Sequence, residues 1–121
     1  MRYRYIVAIG AVAAAAAIAA CSGDDGGAPR RVIDVTQTDD ACSPASVELK
    51  TSERVTFKVK NDGKKDREVE GIDGMKLEEV LIPSGRTREV GFTAPSSAAV
   101  LKLKCYVPDG AETVISVIVT R

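Results

Sequence analysis

From Val32 onward apolar side chains recur at every second position, and no stretch repeats them at helical spacing. Residues 54–60 are the plainest case: Val55, Phe57 and Val59 share one parity, while Arg54, Thr56, Lys58 and Lys60 take the other. Successive side chains of a strand point to opposite faces, so this pattern demands one buried face and one wet face. Residues 32–38 (VIDVTQT), 47–50 (VELK), 67–72 (REVEGI), 86–93, 100–106 and 113–120 (TVISVIVT) supply further strand segments. Residues 77–82 (LEEVLI) fit a strand and a single helical turn equally well. Turn signals stand between them at Asp62-Gly63, Asp73-Gly74, Pro83-Ser84-Gly85 and Pro108-Asp109-Gly110. About seven or eight short strands so punctuated predict an all-β fold, a two-sheet antiparallel sandwich with Greek-key connections.

The first residues obey a different rule. A basic start, Met1-Arg2-Tyr3-Arg4-Tyr5, precedes an apolar leader over residues 6–20 that closes on Ile18-Ala19-Ala20-Cys21. These are the three parts of a secretory signal peptide. Their ending on cysteine resembles the bacterial lipoprotein signal, which implies lipid on Cys21 and a mature chain beginning there. The leader is shorter than the roughly 20 residues that cross a bilayer, which favours anchoring over spanning. Residues 21–31, rich in Gly, Asp and Pro, read as a flexible tether with a reach of about 15–20 Å. One domain over residues 32–121 follows, placed outside the cytoplasm at a membrane surface, a periplasmic setting.

Composition removes several functions. The chain has 121 residues and no histidine, so it builds no Ser-His-Asp triad, no Cys-His nucleophile and no imidazole metal site. Removing a leader that holds Arg2 and Arg4 lowers the 17 basic residues to 15, against 17 acidic ones. That balance, with Phe57, Phe92 and Tyr106 the aromatics beyond the leader, provides neither the charge nor the stacking surface of a nucleic-acid binder. No arrangement supports acid–base or nucleophilic catalysis, so an enzyme is not expected.

With Cys21 committed to lipid, Cys42 and Cys105 remain as a pair. Cys42 lies in a loop over residues 39–46 broken by Pro44, and Cys105 ends the inward set of the penultimate strand. In a sandwich both can fall at one end. An even number of cysteines in an exported domain points to a disulfide or to a two-thiolate metal site.

Asp40-Ala41-Cys42-Ser43-Pro44, Arg67-Glu68-Val69-Glu70-Gly71, Gly74-Met75-Lys76-Leu77-Glu78-Glu79, Ile82-Pro83-Ser84-Gly85 and Lys104-Cys105 together resemble the EfeO-type cupredoxin domain. That domain belongs to the periplasmic component of a bacterial iron-uptake system. The resemblance implies a cupredoxin-like sandwich that binds copper or iron, with other metal-uptake components as partners. It nominates Cys42 and Cys105 as thiolate ligands with Glu68 or Glu70 beside them. It also nominates Met75 as a soft ligand and Glu78 with Glu79 as an acidic pair for a harder ion. The chain departs from the family at Val69, where an aromatic is usual, and at Tyr106, where a small residue is usual; it also lacks the helical domain that follows in full-length EfeO.

The donor chemistry narrows the metal. Blue-copper centres use two histidines and a cysteine, which this chain cannot supply. Two thiolates, with or without a thioether, suit Cu(I); thiolates with carboxylates suit Zn(II) or Cu(II). The competing reading is a Cys42–Cys105 disulfide closing a loop of about 60 residues, worth roughly 4 kcal/mol, in a structural or interaction module without metal. The glutamates then read as solvated strand and turn charges, and Met75 as a surface or gap-filling residue.

If Cys21 is the lipid anchor, mass spectrometry of the membrane-fractionated chain will find Cys21 as its first residue, carrying acyl mass. Cys21→Ser will abolish both the cleavage and the added mass. An unmodified cysteine within an intact amino-terminal leader would refute the assignment.

Overall fold

A computed structural model describes residues 30–121. The leader, Cys21 and the tether up to residue 29 lie outside the described residues. Nine strands and no helix make up the described chain: β1 (Arg31–Gln37), β2 (Cys42–Ser43), β3 (Ser46–Lys50), β4 (Arg54–Asn61), β5 (Arg67–Ile72), β6 (Val80–Ile82), β7 (Thr87–Thr93), β8 (Ala99–Tyr106) and β9 (Glu112–Thr120). They form one sheet ordered β2-β1-β4-β7 and a second ordered β3-β9-β8-β5-β6. The all-β sandwich is thus observed, with two additions. The ambiguous 77–82 segment becomes a strand over its last three residues, and a two-residue strand lies inside the Cys42 loop.

The sheets are mixed and not purely antiparallel. β1 pairs parallel to β4, and β3 pairs parallel to β9. The cause is that the chain leaves the first sheet after β2 and enters the second at β3, without returning as a simple hairpin. β1 and β4 therefore start at the same end. Parallel neighbours need such crossovers. The first strand begins one residue earlier than the sequence pattern placed it. Arg31 already pairs with Val55 in the ladder and holds Glu53 at 2.8 Å, while Arg30 donates to the Val55 carbonyl at 3.3 Å.

Strand parity builds the core. Val55, Phe57 and Val59 of β4 are fully buried, as are Leu103 and Cys105 of β8 and Ile115 and Val117 of β9. Phe57 meets Phe92 of β7 with ring centroids 6.1 Å apart and planes tilted by 38°, a favourable aromatic arrangement. Each such side chain removed from water contributes about 1.5–3 kcal/mol.

The sandwich has two distinct ends. At the proximal end the chain enters at Arg30, β4 begins, β7 finishes and β8 begins. At the distal end β1 and β4 finish, β5 begins and β8 reaches Cys105. The seven residues of β1 separate the two by about 20 Å.

Met75 is 5% exposed and packs into the core as a gap-filling residue. It is held by a tight turn in which its amide donates to the Ile72 carbonyl at 3.2 Å and Gly71 N–H donates to Leu77 O at 2.8 Å. A Cβ at position 71 would collide with the Met75 carbonyl. Gly71→Ala should therefore lower unfolding free energy by about 1–3 kcal/mol in urea titration, the usual range for forced overpacking. An unchanged midpoint would show that this turn yields freely.

Candidate functional site

The distal end brings together the pair that the sequence singled out. Cys42 and Cys105 are joined as a disulfide with Cα atoms 6.4 Å apart. The bond links β2 of one sheet to β8 of the other. Cys105 is fully buried, whereas Cys42 is partly exposed. Cys42 is positioned by pairing with Gln37 on β1 and by its own N–H donating to Thr113 Oγ1 at 3.2 Å. The turn before it closes on Thr38, whose N–H donates to Ala41 O at 2.8 Å.

A buried polar layer surrounds this end. Gln37, Asn61 and Arg67 are all inaccessible to solvent. Asn61 Nδ2 donates to the carbonyls of Lys65 and Ile82 at 2.8 and 2.9 Å, and its Oδ1 accepts from Gly63 N–H at 2.9 Å. Arg67 Nη1 donates to Thr38 O at 2.7 Å, fastening β5 beneath the turn that carries Cys42. Burial pulls the Arg67 guanidinium below its usual range, opposed by the charges of Asp39 and Asp40, and it stays protonated. Arg67 Nε and Nη2 and Gln37 Oε1 have no protein partner among the described residues.

The sequence-derived ligand set does not assemble around the sulfurs. Val69 lies opposite Cys105 in the ladder, and both point inward. Glu68 and Glu70 flank Val69 and by strand parity project from the other face of the sheet. There Glu70 pairs with Lys104 at 2.7 Å, and Lys104 Nζ sits 4.1 Å above the Tyr106 ring. Tyr106 donates its hydroxyl hydrogen to Glu79 at 2.5 Å, while Glu78 is exposed. Met75 lies against Gly71 of β5, two residues toward the proximal end from the Val69–Cys105 pair. Among the described residues no three Cys, Asp or Glu side chains stand close enough to hold one metal ion. The physical reason is parity: a residue and its chain neighbours cannot share a face of one strand.

Three features escaped the sequence reading: the Arg67–Gln37–Asn61 layer, the bracing of Cys42 by Thr113, and the outward Tyr106–Lys104 pair. Parity was the available signal for the first. Gln37 follows Ile33 and Val35 inward, and Arg67 precedes Val69 inward.

The outward cluster has its own electrostatics. A hydrogen bond to Glu70 raises Lys104; desolvation partly opposes this, and the Glu70 charge adds to the rise. Partial burial pushes the Tyr106 phenol far above its ordinary value, helped by bonds to Glu79 and Glu68 and by the negative charge of Glu68 and Glu70.

Residues 8–97 match the profile of the cupredoxin-like domain. Among curated proteins none matches the sequence. Solved structures do share the fold. Reduced auracyanin from the photosynthetic bacterium Roseiflexus castenholzii superposes with a TM-score of 0.57 at 15% identity, covering 75% of this chain and 98% of that one. Auracyanin B gives 0.59 at 12% identity, covering 75% and 91%. The blue copper oxidase from Nitrosomonas europaea gives 0.64 at 16% identity and 76% coverage of this chain, which spans 39% of the oxidase.

In alkaline titration the Tyr106 phenolate should appear in the folded chain only above the unfolded value of about 10. Glu79→Ala should bring that midpoint down by removing the carboxylate that accepts the phenol's hydrogen bond. Because the folded pKa is the higher one, this contribution to stability is complete below about pH 10 and is lost as pH rises toward the folded pKa. A midpoint at the unfolded value would show that the cluster does not persist in solution.

Proposed function

Since this chain belongs to the cupredoxin-like domain family, we propose that it is a lipid-anchored, extracytoplasmic metal-binding module that takes copper, as Cu(I), on Cys42 and Cys105 once their bond is reduced. The adjacency of these two cysteines at the distal end carries the reading, because Cα atoms 6.4 Å apart leave two thiolates positioned for one soft ion. Partial exposure of Cys42 gives a route from solvent. Reduction consumes two electrons and two protons from a dithiol reductant of the cell envelope and yields two thiols. Copper then replaces both thiol protons.

The residues present do not fit a blue-copper centre, which needs two histidines. Nor do they gather the oxygen donors that iron requires, since Glu68, Glu70 and Glu79 face away from the sulfurs. Copper is in this reading a cargo to be captured and passed on, in keeping with the metal-uptake role implied by the EfeO-type resemblance, with other uptake components as partners.

The disulfide itself favours a second reading, a stapled structural or interaction module without metal. Cross-linking residues 63 apart in sequence stabilises the fold by roughly 4 kcal/mol in the chain-entropy model. That is a large share of the usual 5–15 kcal/mol.

One experiment separates the two. The full chain is purified anaerobically, its free thiols are counted, and it is titrated with Cu(I) against a competing chelator before and after mild reduction. The copper reading expects one Cu(I) per reduced chain, no uptake by the oxidised chain, and loss of uptake in Cys42→Ser and Cys105→Ser. A folded, reduced chain that takes no Cu(I) refutes it and leaves the staple. Reduction should in either case lower unfolding free energy by about 4 kcal/mol.

A further inference from the structure

The outer edges of the two sheets are not equally open. On β3 side chains cap the free backbone: Arg31 Nη2 donates to Glu48 O at 2.8 Å, and Lys50 N–H donates to Glu53 Oε1 at 2.9 Å. β2 and β6 are only two and three residues long, so they present little edge. β7 runs for seven residues as the outer strand of its sheet and pairs with β4 alone.

The phase of the ladder fixes what β7 offers. Ala94 N–H donates to Glu53 O at 2.8 Å and Asn61 N–H donates to Arg86 O at 2.9 Å, so the even-numbered residues of β7 bond to β4. Across β4, Asp62 N–H donates to Gln37 O at 2.8 Å, which is the same alternation seen from β1. The N–H and C=O of Thr87, Glu89, Gly91 and Thr93 therefore point out of the sheet edge. Of these groups only Thr87 O has a partner among the described residues, its neighbour Arg88 at 3.3 Å.

The side chains of these four residues face the outer side of the sheet and are exposed, while Val90 and Phe92 face inward. Over Gly91 the Arg30 guanidinium fills the space a side chain would take. Its Nη1 stands 3.4 Å from where a Cβ would be and 3.3 Å from Val55 O. Glu89, two residues along, makes no ion pair among the described residues.

We infer that β7 is a self-pairing edge: two copies join β7 to β7, antiparallel about a two-fold axis at Val90, into one continuous sheet. In that register Glu89 stands opposite Gly91 of the second copy and Thr87 opposite Thr93. These are bonded pairs with Cα atoms about 5.5 Å apart and side chains on one face. Each Glu89 thereby reaches the Arg30 guanidinium that covers Gly91 of the other copy, and the ion pair forms twice. Moving the axis to Glu89 would set two glutamates against each other, so charge selects the Val90 register. The half-buried Val90 meets its own copy on the inner side. Such an interface uses the same patch on both copies and closes at two. It is independent of what Cys42 and Cys105 hold.

The full chain in neutral detergent tests this by sedimentation over rising concentration, with amide exchange followed on the same samples. Monomer should convert to dimer, and exchange at Glu89, Gly91 and Thr93 should slow several-fold as it does. Glu89→Lys should raise the dissociation constant by about tenfold or more, because two contacts per dimer turn repulsive. Arg30→Glu should do the same. The double variant, with the pair reversed, should return the constant to within about threefold of its original value. Both positions are exposed, and an unchanged urea midpoint shows that each variant folds. A chain that stays monomeric at every concentration overturns the pairing. So does a dimer whose β7 amides exchange as fast as the monomer's, or a double variant no better than the single ones.

Discussion

The alternation of side chains along each strand is the constraint from which the rest of this molecule follows. It sends Val55, Phe57 and Val59 into one core with Leu103, Ile115 and Val117. It also sends Cys105 inward with Val69, and so decides that the two cysteines meet in the interior between the sheets. The same rule turns Glu68 and Glu70 outward. A binding site that needed both sulfur and carboxylate would require this strand to slip by one residue, which would place Val69 in water and bury two charges.

Legibility in the sequence follows from the range of the forces involved. Strand positions were readable because alternation is local, and every strand longer than two residues was anticipated within a residue or so, apart from β6. The parallel pairing of β1 with β4 was not, because it depends on which sheet the chain enters after β2, and no local pattern records that choice. β2 was hidden because two residues next to Pro44 show no period at all. Met75 could be read as a ligand or as a surface or gap-filling residue, and the turn after Asp73-Gly74 folds it into the core. At the candidate site, the proximity of Cys42 to Cys105 was a geometric premise, and the structure supplies it. The separation of the glutamates from those sulfurs was readable from parity, since Glu68 and Glu70 bracket an inward valine. The family resemblance had grouped them by sequence neighbourhood instead of by face.

The distal end combines a covalent link with polar burial, which is an unusual use of a small core. Arg67 carries a full charge into the interior, where desolvation is costly, and regains part of that cost through the Thr38 carbonyl and the nearby Asp39 and Asp40 charges. Its remaining donors are unpartnered by protein among the described residues. Such a layer stabilises little by itself. It fixes where the turn over residues 38–41 sits, and that turn delivers Cys42 to β2. The disulfide therefore closes between segments that Gln37, Arg67 and Thr113 also hold in place.

That restraint bears directly on metal capture. Two free thiols on mobile loops would lose orientational freedom on binding an ion, which weakens the site. Here the loss has been met in folding, because β8 holds Cys105 in a ladder and Thr113 braces Cys42. Opening the bond removes loop-closure stabilisation without dismantling the frame around it. The carboxylates, on the other face, are occupied with Lys104 and Tyr106 and do not compete for the sulfurs. Within the proposed reading, two thiolates at this end would supply donors suited to a soft ion such as Cu(I).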